Sequence, residues 1–232
     1  MAELFFLGAI LAAGALALIL TPLIRAVALA IGFVDKPDKR KIHDGEIAYG
    51  GGIVLAAATA LTFSIILLLK RYNIAPFPSV FGDLRGEILL SVAVGAGGIL
   101  TLGLLDDKYR LSPWTKLIIE FFIATGVVIG GVRITAFIGD NLLMQITTVC
   151  WIVLITNSFN LLDNMDGLCA GTIAIAAAML GLVAMDSRQW NLMFALGALA
   201  GAAAGFLKYN RSPASIFLGD AGALFAGFLM AC

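Results

Sequence analysis

The sequence predicts an all-α fold: a polytopic transmembrane bundle of about eight helices, forming a single membrane-embedded domain over residues 1–232. Three observations lead there. The chain is 61% hydrophobic and 13% charged, with a mean hydropathy of +1.01, a balance that belongs to integral membrane proteins and not to soluble globules. Apolar runs of about twenty residues, enough to cross a bilayer's hydrocarbon, recur along its whole length. Polar residues gather in the short connections between those runs.

Apolar length, flanking charges and glycines place helices at 3–31, 50–70, 86–105, 113–130, 141–157, 167–186 and 190–208, with an eighth starting near 218. The first run, Leu4 to Leu20, lacks a basic leader and a cleavage site, so it reads as a retained span, with Pro22 a candidate kink. Ser112 and Pro113 suit the N-cap and first position of the fourth helix. Gly201, Gly205 and the alanines between them suit close helix packing. The chain stops at Cys232 inside the eighth helix, where backbone carbonyls lack partners, and this predicts a fragment of a longer protein. Cys150, Cys169 and Cys232 are odd in number and set in apolar surroundings, which argues against a disulfide framework or a metal knuckle. A formal net charge of zero points to no nucleic-acid partner.

Connections between spans alternate between the membrane faces. The odd-numbered ones hold Asp35 to Glu46, Asp106-Asp107, Asn160 to Asp166, and Asn210 to Pro213 leading into Asp220, so every chemically interesting loop falls on one side. That side carries ten of the fifteen Lys and Arg residues. By the positive-inside rule it is cytoplasmic, with the N-terminus outside.

The conspicuous stretch is Asn157-Ser158-Phe159-Asn160-Leu161-Leu162-Asp163-Asn164-Met165-Asp166-Gly167. Unpaired polar groups in hydrocarbon are costly, so their presence asks for a ligand. Asn157, Asn160, Asp163 and Asp166 recur every three residues and converge on one side if the segment is helical or a tight turn. Oxygen donors so arranged suit a cation, although Asp166-Gly167 also reads as an ordinary helix start. Asp106 and Asp107 repel each other unless a cation compensates, and either Mg²⁺ or a nearby lysine would do so. Lys116 and Glu120 form a plain i,i+4 pair on one reading; on the other, Lys116 faces a phosphate. Lys36 and Lys39 can anchor to anionic lipid, while Arg40, Lys41 and His43, before Tyr49-Gly50-Gly51-Gly52, can grip a phosphate. Asp220 stands among Gly219, Ala221 and Gly222, while Phe217 is either core or a flat face for a base.

Taken together, Arg40-Lys41-Ile42-His43, Asp106-Asp107 with Leu111-Ser112-Pro113 and Lys116, Asn157 to Gly167, and Pro213-Ala214 with Phe217-Leu218-Gly219-Asp220-Ala221-Gly222 resemble one family. It is the polyprenyl-phosphate N-acetylhexosamine-1-phosphate transferases, and the pieces occur in the family's order. The resemblance implies Mg²⁺-dependent transfer, with Mn²⁺ as the alternative ion, of an N-acetylhexosamine-1-phosphate from a UDP-N-acetylhexosamine to undecaprenyl phosphate, releasing UMP. This is the first membrane step of cell-envelope polysaccharide synthesis, at the plasma membrane.

By the same route Asn160 and Asp220 are implied as metal ligands, and Asp106, Asp107, Asp163 and Asp166 as catalytic or sugar-nucleotide residues. Arg40, Lys41, His43, Lys116 and Asn157 are implied as substrate contacts, and Phe217 as the uracil's stacking partner. Asn164 and Ala223 replace the family's usual glycine and serine, and family members continue for several more helices. A phosphate monoester has a second pKa of about 6, so the lipid phosphate is largely dianionic near neutrality and gains little from a base, which favours metal or positional duty for Asp106.

The texture of Asn157 to Gly171 and the Tyr49 turn favour N-acetylglucosamine. The alternative is a phospho-N-acetylmuramoyl-pentapeptide transferase. For the enzyme a homodimer is a compatible assembly. Outside this class, intramembrane acids also mark transporters, and an inactive fragment fits the short chain. The acids sit at cytoplasmic helix ends, apart from Glu120, which favours an interfacial enzyme.

Overall fold

The computed structural model describes residues 2–35, 45–72, 86–134 and 141–232. Eight helices are present among them: α1 (Ala2–Ala30), α2 (Gly51–Arg71), α3 (Gly86–Tyr109), α4 (Pro113–Ile129), α5 (Asn141–Leu162), α6 (Leu168–Asp186), α7 (Trp190–Asn210) and α8 (Gly219–Ala231). Six, all but α4 and α8, are long and apolar enough to cross a membrane, so the protein is a multi-pass membrane protein. Large apolar side chains such as Leu11, Phe122, Ile129, Leu154 and Ile175 stay exposed on the outside of the bundle, where hydrocarbon is the natural solvent.

Two helix ends differ from the sequence reading. Helix α3 continues past residue 105 through Asp106 and Asp107, and α5 past residue 157 through Asn160 to Leu162. Hydropathy falls where the charges begin, yet the helices go on because those polar side chains find partners on neighbouring helices. Helix α3 ends where Arg110 turns left-handed, with φ of 51°. Pro22 lies within α1, which runs as one helix on both sides of it.

Helix α7 is the hub of one half, packed by α1, α2 and α6. As expected, Gly201 and Gly205 make its seam with α1: a methyl group on Gly201 would lie 2.0 Å from the Ile10 carbonyl oxygen, and one on Gly205 2.4 Å from that of Gly14. Helix α8 is the hub of the other half, wedged among α2, α3 and α5. A methyl on Gly103 would lie 2.3 Å from Ala221 Cα, and one on Gly52 2.5 Å from Gly222 N. Two helices thus bring bare backbone against the first turn of α8.

A small sheet joins the bundle, which the sequence reading does not contain. Strands β1 (Val34–Asp35), β2 (Ile47–Tyr49) and β3 (Ile216–Phe217) lie in the order β1-β2-β3. β1 and β2 are antiparallel with Val34 opposite Ala48; β2 and β3 are parallel with Tyr49 opposite Phe217. Strands of two or three residues are too short to show a period of two in sequence. The sheet ties the α1–α2 connection to the α7–α8 connection.

Candidate active site

The site is assembled where helix ends meet. Ser112 caps α4, accepting from the Thr115 N–H at 3.1 Å, with Pro113 at the first helical position, as expected. One turn in, Lys116 leaves α4 and its Nζ donates to Asp106 Oδ2 at 2.7 Å, Asp220 Oδ2 at 2.9 Å and Asn160 Oδ1 at 3.0 Å. Asn160 Nδ2 donates in turn to Asp220 Oδ1 at 2.8 Å. Four side chains from α3, α4, α5 and α8 therefore close one polar cluster. Asp106 is buried, and its other oxygen accepts the Leu111 N–H at 2.7 Å, which fixes the carboxylate's direction.

Asp107 faces differently. Its two oxygens accept the backbone N–H groups of Asp220 at 2.8 Å and Ala221 at 3.2 Å, so α3 caps the N-terminus of α8 with a charge that suits the helix dipole. Gly219 permits this: its φ is +74°, and a methyl there would stand 2.7 Å from Asp107 Oδ2. Asp107 thereby holds Asp220 in the cluster without touching Lys116.

The stretch from Asn157 to Gly167 divides. Asn160 enters the cluster. Asp163 is half-buried between α5 and α6, beside Asp220, with the Gly219 N–H as a hydrogen-bond donor. Asp166 Oδ2 accepts the Ala214 N–H at 3.0 Å, linking the α5–α6 turn to the α7–α8 connection. Asn210, 2% exposed, completes that link by accepting from Gly167 N at 3.1 Å and donating to the Ile216 carbonyl at 3.0 Å. Asn157 points away from the cluster: its Nδ2 donates to Glu120 Oε2, one turn below Lys116. The i,i+4 pairing of Lys116 with Glu120 is thus replaced by bonds from each residue to a different neighbour. Phe217 lies beside Tyr49, ring centroids 6.1 Å apart and tilted by 54°. Arg40, Lys41 and His43 fall outside the described residues.

Every helix puts the end predicted by alternation at this face. α3 and α5 bring their C-termini, and α4 and α8 their N-termini, through the cluster itself. Gly167 and Asn210 bring the start of α6 and the end of α7, and the sheet brings the end of α1 and the start of α2.

Asp163 has a consequence for pH. Burial, and then the nearby Asp220 carboxylate, push its pKa up to about 7. Between the ordinary carboxylate range and that value, the folded chain keeps a proton that the unfolded chain has released. Stability therefore falls as pH rises through this window and levels off above it. In thermal unfolding of the detergent-solubilised protein, Asp163→Asn is expected to flatten the decline in Tm between about pH 4.5 and about pH 7.5. A decline unchanged by the substitution would remove Asp163 as its source.

The family model described as "Glycosyl transferase family 4" matches residues 89–232, a range that starts in α3 and contains all four residues of the cluster. The chain belongs to glycosyl transferase family 4. Among similar family 4 proteins, a probable undecaprenyl-phosphate N-acetylglucosaminyl 1-phosphate transferase of Bacillus subtilis is 33% identical over 219 residues, 91% of this chain and 57% of that protein. A phospho-N-acetylmuramoyl-pentapeptide-transferase of Desulforudis audaxviator is 30% identical, over 83% of this chain and 63% of its own length. A decaprenyl-phosphate N-acetylglucosaminephosphotransferase of Mycolicibacterium smegmatis is 28% identical, over 89% and 54%. The chain thus spans roughly half to two thirds of the length of these curated relatives.

The cluster can be tested for its fit to the Mg²⁺ that family membership implies. Among the described residues no three His, Cys, Asp or Glu side chains form an all-protein cage. Mg²⁺ does not ask for one, because it binds through one or two carboxylates and keeps water or substrate phosphate for the remaining positions. Oxygens of Asp106, Asn160 and Asp220 already surround one cationic nitrogen, and two carboxylates facing a single ammonium leave negative charge over. The donor set fits.

Sequence reasoning missed three contributors: Glu120 as the partner of Asn157, Asn210 as a buried strut, and Tyr49 beside Phe217. Tyr49 hydrogen-bonds Asp35, and burial followed by that carboxylate raises its hydroxyl's pKa well above the ordinary value. An acid set well inside an apolar run was the signal for Glu120. Nothing in the sequence announces the short sheet that positions Tyr49.

Proposed function

We propose that the protein transfers N-acetylglucosamine-1-phosphate from UDP-N-acetylglucosamine to undecaprenyl phosphate, releasing UMP, at the cytoplasmic face of the plasma membrane. Family membership supplies the reaction class, polyprenyl-phosphate sugar-1-phosphate transfer. The observation that carries the reading is the cluster of Asp106, Lys116, Asn160 and Asp220 at one end of the bundle, where a membrane-borne phosphate and a water-borne diphosphate can meet. The two-to-one excess of basic residues supports the cytoplasmic assignment.

In the reaction a lipid phosphate oxygen attacks the sugar-bearing phosphorus. A new P–O bond forms, the P–O bond to the bridging oxygen breaks, and that oxygen leaves on UMP. Catalysis of this kind is mostly positioning and charge neutralisation. Lys116 neutralises Asp106 and Asp220 in the metal-free cluster, and Asn160 and Asp107 hold Asp220 in direction. Asp106, its two oxygens directed by Lys116 and the Leu111 N–H, is placed to serve as a ligand. Mg²⁺ held by Asp220, Asn160 and Asp106 would neutralise diphosphate charge when bound. Asp163 and Asp166 border the approach, and Phe217 with Tyr49 offers an aromatic edge to a base.

Membranes carrying the protein, given radiolabelled UDP-N-acetylglucosamine, undecaprenyl phosphate and Mg²⁺, are expected to release UMP and form a lipid-linked sugar. A product formed only from UDP-N-acetylmuramoyl-pentapeptide would move the assignment to the other branch. Sugar uptake without a lipid product would replace the enzyme with a transporter.

A further inference from the structure

The oxygen cage around Lys116 already holds one positive charge, so a divalent ion taking up the same oxygens must compete with the ammonium. Two cations in one cage repel, and the lysine needs somewhere to go. One turn along α4, Glu120 is 1% exposed. Its Oε2 accepts from Asn157, while Oε1 accepts a hydrogen bond from no described residue. A buried carboxylate oxygen without a partner is costly and calls for an explanation. Residues four apart on a helix share a face, with Cβ atoms about 5–6 Å apart, within a lysine's reach.

We propose that Glu120 is the alternate berth of the Lys116 ammonium: when a divalent cation enters among Asp106, Asn160 and Asp220, Lys116 swings one turn along α4 and pairs with Glu120 Oε1. The inference rests on the reading that the cluster takes a divalent cation. It accounts for the two features that reading leaves over. The Asn157 amide is turned from the cluster because it holds the Glu120 carboxylate by one oxygen and leaves the other open. The unpartnered oxygen is the second seat of a two-position charge. In one state Lys116 neutralises Asp106 and Asp220; in the other the metal does so and Lys116 neutralises Glu120. Glu120 is a positioning residue in this scheme, acting through Lys116.

The test is a double-mutant cycle on Mg²⁺ affinity, read from the Mg²⁺-induced rise in Tm of the purified full-length protein. Glu120→Gln keeps an acceptor for Asn157 but lacks the charge, and should weaken apparent Mg²⁺ affinity about tenfold. In the Lys116→Met background no ammonium needs a berth, and adding Glu120→Gln should change affinity less than about twofold. An equal loss in both backgrounds would make Glu120 merely structural and overturn the proposal, as would no loss in either. Absence of any Mg²⁺-dependent shift in the wild type would instead sink the cation reading and this proposal with it. A measurement needing no Glu120 variant stands beside the cycle. The ζ-¹⁵N resonance of Lys116, assigned by its loss in Lys116→Met, should move when Mg²⁺ is added, and a resonance indifferent to Mg²⁺ would also overturn the proposal.

Discussion

Asp220→Asn is expected to reduce UMP release by about 10²–10³-fold while leaving the protein folded. Asp220 is where three constraints meet: Lys116 and Asn160 donate to its side chain, and Asp107 holds its backbone N–H. Asparagine has nearly the same shape and can still accept from Lys116, so the helix packing survives. What disappears is the acceptor of the Asn160 amide and one negative charge, opposite an ammonium and, in the proposed reaction, opposite a metal. A group that acts only by packing would tolerate the change. Measured in membranes with UDP-N-acetylglucosamine and undecaprenyl phosphate, an Asp220→Asn enzyme of near-normal turnover would exclude Asp220 from the machinery.

The second large effect is steric. Gly103→Ala should destabilise the protein by about 1–3 kcal/mol and lower activity with it, because an added methyl meets backbone that cannot yield. The methyl would sit 2.3 Å from Ala221 Cα and 2.6 Å from Ala221 N, driving the first turn of α8 away from α3. That turn carries Asp220 and the N–H groups held by Asp107. Gly97, on the same helix, has open space where its methyl would be. Gly97→Ala should therefore be neutral or slightly stabilising, since alanine is the better helix former. Equal Tm values for the two variants would show that α3 and α8 are not in backbone contact.

Much of this architecture was legible because bilayer physics is severe. Twenty-residue apolar runs have few alternatives to helices, and alternation then forces their ends onto two faces. That logic gathers Asp106, Asn160, Asp163 and Asp220 on one face from the sequence alone. Lys116 was legible as a cation near the acids, though its three-way bonding was not, since it depends on how α3, α4, α5 and α8 cross. The finer partition was hidden for the same reason. Asp106 and Asp107 are adjacent in the chain, yet a turn of about 100° per residue sends one to Lys116 and the other to the N-terminus of α8. The three-residue period of Asn157, Asn160, Asp163 and Asp166 suggested one ligand for all four. Helix α5 stops at Leu162, so only its last two turns obey that period, and Asp166 turns to Ala214 instead.

In the proposed reaction, carboxylates from α3 and α8 share one divalent ion. Mn²⁺ binding followed by electron paramagnetic resonance on the purified protein tests it most directly. A bound Mn²⁺ signal is expected in the wild type, lost or strongly weakened in both Asp106→Asn and Asp220→Asn. Undiminished Mn²⁺ binding in either variant would contradict it.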